Sequence, residues 1–125
     1  MRLVNAGKIM SKDGILRVFS EDERKWAELP HKDVLEWNSI PWPMLAKPSC
    51  PDHLDETAIT AYALSPHGLG DRTIKDRLKE HIRRWHPDRF NHRYLHKVVE
   101  SQREAVKTGA ELVIRTLNEV LRKQD

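Results

Sequence analysis

Hydrophobic residues recur at helical spacing in two stretches of the second half of the chain. In the first, Ile74, Leu78, Ile82 and Trp85 fall on one face, with lysines and arginines on the others. In the second, the apolar face consists of Val106, Ala110, Val113, Ile114, Leu117 and Leu121. Ser101 and Glu104 have the spacing of a capping box, which predicts that this second helix begins at Ser101. We expect Gly109, inside that helix, to mark the close approach of another helix.

Shorter patterns predict two further helices. Ser20 to Leu29 has a capping-box pair, Ser20 and Glu23, and Pro30 ends it. Asp55 to Leu64 has Asp55 as its predicted N-cap. Before these helices, Lys12 to Gly14 predicts a turn between the apolar stretches Leu3-Val4 and Ile15 to Phe19. A hairpin and a tail that orders only on a partner are both consistent with that stretch.

A proline-containing segment, Ile40 to Leu45, cannot form a regular helix. Pro41 and Pro43 flank Trp42 and favour an extended, polyproline-like path. The favoured interpretation is a strap in which Trp42 packs back on the domain. The alternative is a partner anchor formed by Pro41, Trp42 and Pro43, since tryptophans often contribute strongly to interfaces. A turn is also predicted at Asp33 to Trp37, with Val34 and Trp37 on one side.

The chain is therefore divided into an N-terminal arm, residues 1–50, with one short helix and the strap, and a helical domain, residues 51–125. A length of 125 residues suits one small domain with an extended arm. No apolar run is long enough to span a bilayer, and we expect no membrane association. Cys50 is the single cysteine, so an internal disulfide is excluded and a reducing compartment is expected.

Charge is concentrated in one stretch. Residues 72–97 contain nine lysines and arginines against three acidic residues, whereas the whole chain has a net charge of only +3. Such a surface fits an acidic protein or a nucleic acid, or it is simply solvated. RNA contact through the basic helix is consistent with the charge. However, no aromatic stacking platform accompanies it beyond Trp85, which the apolar face contains.

The basic helix runs into His86-Pro87-Asp88. Because proline disfavours the helical conformation of the residue before it, the helix is predicted to end at or near His86. The result is an exposed corner from which the carboxylate of Asp88 could accept two hydrogen bonds from an arginine of a partner. Phe90 is predicted to return to the core.

This order of a basic amphipathic helix, an aromatic residue, His-Pro-Asp and a second amphipathic helix resembles the J-domains, the co-chaperone modules of Hsp70. The second helix adds Ile114, Leu117-Asn118 and Val120-Leu121 at the offsets typical of that family. Together with Ile40 to Pro43, the motifs RRWHPDRF and VIRTLNEVL are similar to the J-like region of the NF-kappa-B inhibitor-like proteins and their fungal relatives. The resemblance covers roughly residues 20–125.

The resemblance implies an all-α fold, in which an antiparallel helical hairpin carries His86, Pro87 and Asp88 in its loop. It implies docking on the nucleotide-binding domain of Hsp70 and stimulation of its ATP hydrolysis. Lys75, Lys79 and Arg83 would face an acidic surface of Hsp70. The chain itself would not be an enzyme and would need no cofactor.

A second hypothesis from the same resemblance is an interaction module. The NF-kappa-B inhibitor-like proteins are nuclear and linked to pre-mRNA processing, so the partner would be a nuclear ribonucleoprotein such as the spliceosome. The expected location is nuclear, or cytoplasmic and nuclear. His81 stands where J-domains usually have leucine, and the connection after the tripeptide is long for the family. His81, together with the Pro-Trp-Pro segment that ordinary J-domains lack, favours a J-like module recruited to one assembly.

Metal and nucleophile sites are not expected. His92 and His96, and separately Cys50 and His53, have spacings that a metal accepts, but a structural zinc site needs more ligands than these. A nucleophilic pair of Cys50 with a histidine would need a preformed pocket, which the surrounding prolines do not suggest.

Overall fold

The computed structural model describes the backbone of residues 3–5 and 8–124 and the side chains of residues 10–124. The fold is mainly helical, as predicted. The helices are α1 (Lys12–Glu28), α2 (Glu56–Leu64), α3 (Ile74–Trp85), α4 (Pro87–Arg93) and α5 (Glu100–Arg122). A short antiparallel hairpin precedes them, formed by β1 (Leu3–Asn5) and β2 (Lys8–Met10), with Leu3 opposite Met10.

The first helix is longer than the sequence predicted. The hydroxyl of Ser11 accepts a hydrogen bond from the backbone N–H of Gly14 at 3.1 Å, so α1 begins at Lys12. The turn predicted at Lys12 to Gly14 is therefore wrong, because these residues form the first turn of α1. Ser20 lies inside the helix, so the capping box predicted with Glu23 does not form. An apolar stripe that runs the length of the helix explains the extension, since Ile15, Phe19 and Trp26 of α1 are all buried.

Side-chain caps define the starts of α2 and α3, whereas α5 begins without one. Asp55 caps α2 by accepting from the N–H of Thr57 at 3.0 Å, as predicted. Thr73 caps α3 by accepting from the N–H of Asp76 at 3.1 Å. The capping box predicted at Ser101 does not form, because α5 begins one residue earlier, at Glu100, without a side-chain cap.

One hydrophobic core unites the segment predicted as an arm with the helices that follow it. Trp26, Leu29 and several strap residues share it with Ile59 of α2 and with the buried faces of α3 and α5. An isolated parallel bridge also joins the two parts, with the N–H of Leu35 donating to the carbonyl of Lys97 at 2.9 Å. Val34 is 62% exposed, so its predicted position on one side with Trp37 is wrong.

The strap segment, residues 40–45, enters this core. Trp42 is 1% exposed and lies between two other indoles, with ring centroids 4.2 Å from Trp37 and 5.3 Å from Trp85. Its indole N–H donates to the carbonyl of Trp37 at 3.1 Å. Pro41 and Pro43 are buried as well. The interpretation of Pro41, Trp42 and Pro43 as an exposed partner anchor therefore does not fit this structure, because their apolar surface is used internally.

Candidate functional site

The tripeptide His86-Pro87-Asp88 lies at a junction between two helices. His86 ends α3 and, with an extended backbone (φ −57°, ψ 131°), is also the N-cap of α4. Pro87 occupies the first position of α4, where its missing N–H would have no helical partner and its fixed φ suits the helix. The predicted loop is therefore only a corner of one residue, and a short helix, α4, follows it directly.

Two buried aromatic residues fix the corner from both sides. Trp85 is 1% and Phe90 is 0% exposed, and their rings stack with centroids 5.1 Å apart. Since both rings point into the core, the residues between them face outward. His86, Pro87, Asp88 and Arg89 are all exposed. The return of Phe90 to the core was predicted correctly.

The imidazole of His86 organises the corner locally. Its Nδ1 accepts a hydrogen bond from the backbone N–H of Asp88 at 3.2 Å. An accepting Nδ1 requires its lone pair, so in the neutral ring the proton is on Nε2, which remains available as a donor. The carboxylate of Asp88 has no ion pair or hydrogen bond with any side chain between residues 10 and 124. It therefore presents unoccupied acceptor oxygens to solvent.

The cations of α3 divide into two faces. Lys75, Lys79 and Arg83 are exposed at spacings of four residues, so they form one row that ends near the tripeptide. Arg77 and Arg84 instead face α1, where both bind Glu23. The Nη2 atom of Arg77 lies 3.1 Å and that of Arg84 lies 2.7 Å from Glu23 carboxylate oxygens. The first row is exposed and makes no ion pair with the described side chains, whereas Arg77 and Arg84 are already paired with Glu23.

The buried position of Arg77 was not predicted from the sequence. Arg77 is 3% exposed, and two of its nitrogens, Nε and Nη1, are buried without a hydrogen bond. Burial alone would raise the pKa of Glu23, but the hydrogen bonds and charges of Arg84 and Arg77 outweigh it, and the pKa lies below its ordinary value. The ion pair thus attaches α1 to α3. The sequence contains no signal for it, because residues 23 and 77 are far apart in the chain.

His81 is also buried behind the open row. It is 3% exposed and its ring centroid lies 5.9 Å from that of Tyr62. Burial first, and then the positive charges of Arg77 and Arg84, lower the pKa of His81 to about 3. His81 is therefore a neutral, packed imidazole at ordinary pH.

A second polar cluster holds the strap against α1 and α2. Asp22, 2% exposed, accepts from the hydroxyl of Tyr62 at 2.6 Å and from Nζ of Lys47 at 2.7 Å. Lys47 also donates to the carbonyl of Trp42 at 2.8 Å. Burial and the neighbouring Asp22 carboxylate raise the pKa of Tyr62 well above its ordinary value. The sequence did contain a signal for this cluster, because the polar residue Asp22 interrupts the apolar stripe of α1.

The residues considered as metal ligands do not come together in a site within the described part of the chain. His92 and His96 are both exposed. Within the described part of the chain, no three His, Cys, Asp or Glu side chains are grouped so that they could hold a metal ion. None of the helices described has the length and apolar character needed to cross a membrane.

Comparisons of this chain with protein-family models, with curated proteins and with solved structures gave no match.

Proposed function

We propose that this protein is a J-domain-like co-chaperone that stimulates ATP hydrolysis by an Hsp70 through His86, Pro87 and Asp88. One observation supports the proposal most strongly. The carboxylate of Asp88 is exposed and unpaired with the described side chains, at the end of a helix whose open row of cations is Lys75, Lys79 and Arg83. A purely structural capping role would need neither the free carboxylate nor the open row.

The corner suits recognition of a cationic group next to an acidic surface. Asp88 can accept a bidentate pair of hydrogen bonds from an arginine of Hsp70, and His86 can donate from Nε2. Because Pro87 and the stacked pair Trp85 and Phe90 already fix the backbone, little conformational entropy is lost on docking. The row on α3 would steer the complex toward an acidic surface.

The proposed action is conformational and not chemical. A partner stimulates hydrolysis only if it binds the hydrolysis-competent state of Hsp70 more tightly than the resting state. In this proposal Asp88 makes that differential contact, and the chain binds no nucleotide itself. The packing of α3 with α5 would serve as the J-type helical hairpin, with α4 in place of the usual loop.

The contribution of the open row can be tested by binding. We expect Lys79→Glu to weaken binding to the ATP-bound Hsp70 of the same organism by roughly tenfold or more, because a like charge then meets the acidic surface. The matched control is Lys107→Glu, which reverses the charge of an exposed lysine on α5 and should change binding much less. Equal effects of the two reversals would contradict docking through α3.

The second candidate function is an interaction module of a nuclear ribonucleoprotein, with a nuclear, or cytoplasmic and nuclear, location. The observation that favours it is the strap, which packs with α3 and α5 in one core. Ordinary J-domains have no such Pro-Trp-Pro segment. If this candidate holds, Asp88→Asn should leave the set of captured partners unchanged. If an Hsp70 is the one partner that Asp88→Asn no longer captures, the co-chaperone function is favoured.

A further inference from the structure

A second cationic surface lies on α4 and on the 3₁₀ turn Leu95–Lys97 that follows it. Arg89, His92 and Arg93 are exposed at spacings i, i+3 and i+4 on α4, and His96 of the turn, also exposed, lines one cleft with His92 and Arg93. The opposite side of this segment is fixed in the core by Phe90 and Tyr94, which are 0% and 6% exposed. We call these four exposed residues the α4 surface. It uses none of the residues assigned above to Hsp70.

Two adjoining clefts run along the α4 surface. One, of about 280 Å³, includes Arg84, Arg89 and Arg93 in its lining. The other, of about 470 Å³, includes His92, Arg93, His96 and Lys97. Arg93 lines both clefts, and so do Pro30 and Tyr94, so the two form one continuous concave face.

The charge of this face is not balanced internally. Arg84, Arg89, Arg93 and Lys97 line the clefts, and Glu23 is the single carboxylate among the lining residues. Glu23 is already bound by Arg77 and Arg84. Arg89 and Arg93 make no ion pair with the side chains that the structure describes, so their guanidinium groups are free to bind an anion.

We infer that the α4 surface binds the phosphate backbone of a nucleic acid, independently of base sequence. The planar forks of Arg89 and Arg93 match phosphate oxygens. The aromatic residues in the lining, Trp26 and Tyr94, are 9% and 6% exposed, so no ring is available for base stacking. A row of phosphates matches the charge of this face, which has four cations in its lining and one carboxylate that is already paired.

The test is fluorescence anisotropy with labelled single-stranded oligouridine, and with a DNA duplex of equal length, between roughly 50 and 200 mM salt. Wild type should bind the RNA with an affinity that falls steeply with salt. Arg89→Ala with Arg93→Ala should weaken binding about tenfold or more. If each arginine neutralises one phosphate, the double variant should also lower the slope of log K against log salt by about 1.4 on a single strand. If the DNA duplex binds with the same affinity as the RNA, the site recognises phosphate backbones in general, as inferred.

Two further variants distinguish binding at the α4 surface from a general effect of positive charge. Arg89→Lys with Arg93→Lys keeps the charge and should restore most of the salt slope, provided that circular dichroism shows an unchanged fold. Lys75→Ala with Lys79→Ala removes two charges from the open row of α3 and should leave RNA binding nearly unchanged. The inference would be overturned if the alanine variant at Lys75 and Lys79 lost as much RNA affinity as the alanine variant at Arg89 and Arg93. An absence of RNA binding by wild type, or equally tight binding of polyglutamate, would also overturn it.

Discussion

The indole of Trp42 rests directly on the backbone of Gly109 in α5. A β-carbon at position 109 would lie 2.7 Å from Cη2 and 3.0 Å from Cζ3 of that ring. The sequence predicted a close approach at Gly109, but by another helix, whereas the residue that approaches is the tryptophan of the strap. This contact explains why a helix-weakening glycine occupies the middle of the longest helix.

Gly109→Ala should destabilise the protein despite the better helix propensity of alanine. The propensity gain is about 1 kcal/mol, but overpacking of a filled core costs typically about 1–3 kcal/mol. The ring cannot move easily, because Trp42 is stacked on Trp37 and Trp85. We expect a net loss of about 1 kcal/mol in the free energy of unfolding, measured by urea denaturation.

Gly14→Ala is the matched control for that change. A β-carbon at Gly14 would meet nothing closer than 3.4 Å, at the hydroxyl of Ser11. The substitution should therefore stabilise the protein by up to about 1 kcal/mol. If both glycine variants were stabilised equally, the Trp42 contact would not be the reason for Gly109.

Trp42→Ala should lower the free energy of unfolding by about 3–5 kcal/mol, because it removes a fully buried ring from the centre of an aromatic stack. A domain of this size has roughly 5–15 kcal/mol in total, so partial unfolding is an expected result. Circular dichroism and urea titration give the measurement. An unchanged midpoint of unfolding would return Trp42 to the exposed-anchor interpretation.

The neutral, buried His81 predicts a pH dependence of stability. In the unfolded chain this group binds a proton below about pH 6.5, whereas in the folded protein its pKa is about 3 and it binds a proton only near that pH. Stability from this residue is therefore complete above pH 6.5, and it falls as the pH is lowered toward 3. Between about pH 7.5 and 5.5 the expected loss is about 1.4 kcal/mol.

His81→Leu should remove that part of the pH dependence, since leucine cannot take up a proton. His92→Gln, at an exposed position, should retain it. Urea unfolding of the three proteins at both pH values makes the comparison. An identical pH dependence in wild type and His81→Leu would show that other groups are responsible.

Tyr62→Phe should destabilise the protein by about 1.5–3 kcal/mol, because it removes a hydrogen bond to the buried carboxylate of Asp22. Tyr94→Phe serves as the control. Tyr94 is also buried, but its hydroxyl makes no hydrogen bond within the described residues, so its removal should change stability by less than about 0.5 kcal/mol. Equal losses in the two variants would point to packing of the rings and not to the Asp22 contact.

Local features of this fold could be predicted from sequence, and long-range polar ones could not. Proline at 87, the Asp55 cap and the apolar face of α5 act over a few residues, so their consequences were predicted correctly. On α3, Leu78 and Trp85 are buried as predicted, but Ile74 is 37% exposed, so its predicted place on the apolar face is wrong. The pairing of Glu23 with Arg77 and Arg84 depends on how α1 docks, which no local pattern encodes. The capping box at Ser20 failed because the apolar stripe of α1 continues through it, and packing of such a stripe outweighs a local cap.

The candidate site shows the same division. The end of α3, the exposed tripeptide and the open row of cations follow from local pattern. The hydrogen bond by which His86 caps α4, and the burial of Trp42, depend on backbone geometry and on the tertiary core. The partner itself is a property of a second molecule, and it stays a prediction that rests on resemblance and on the free carboxylate of Asp88.

The most direct test of the proposed function is single-turnover ATP hydrolysis by the Hsp70 of the same organism. The reaction is followed alone, with wild-type protein, with Asp88→Asn and with Asp71→Asn, which changes an exposed aspartate outside the tripeptide. Stimulation by wild type and by Asp71→Asn, but not by a folded Asp88→Asn, is the predicted result. Equal stimulation by Asp88→Asn, or none by wild type while its helical circular dichroism is intact, would contradict a co-chaperone role for the tripeptide.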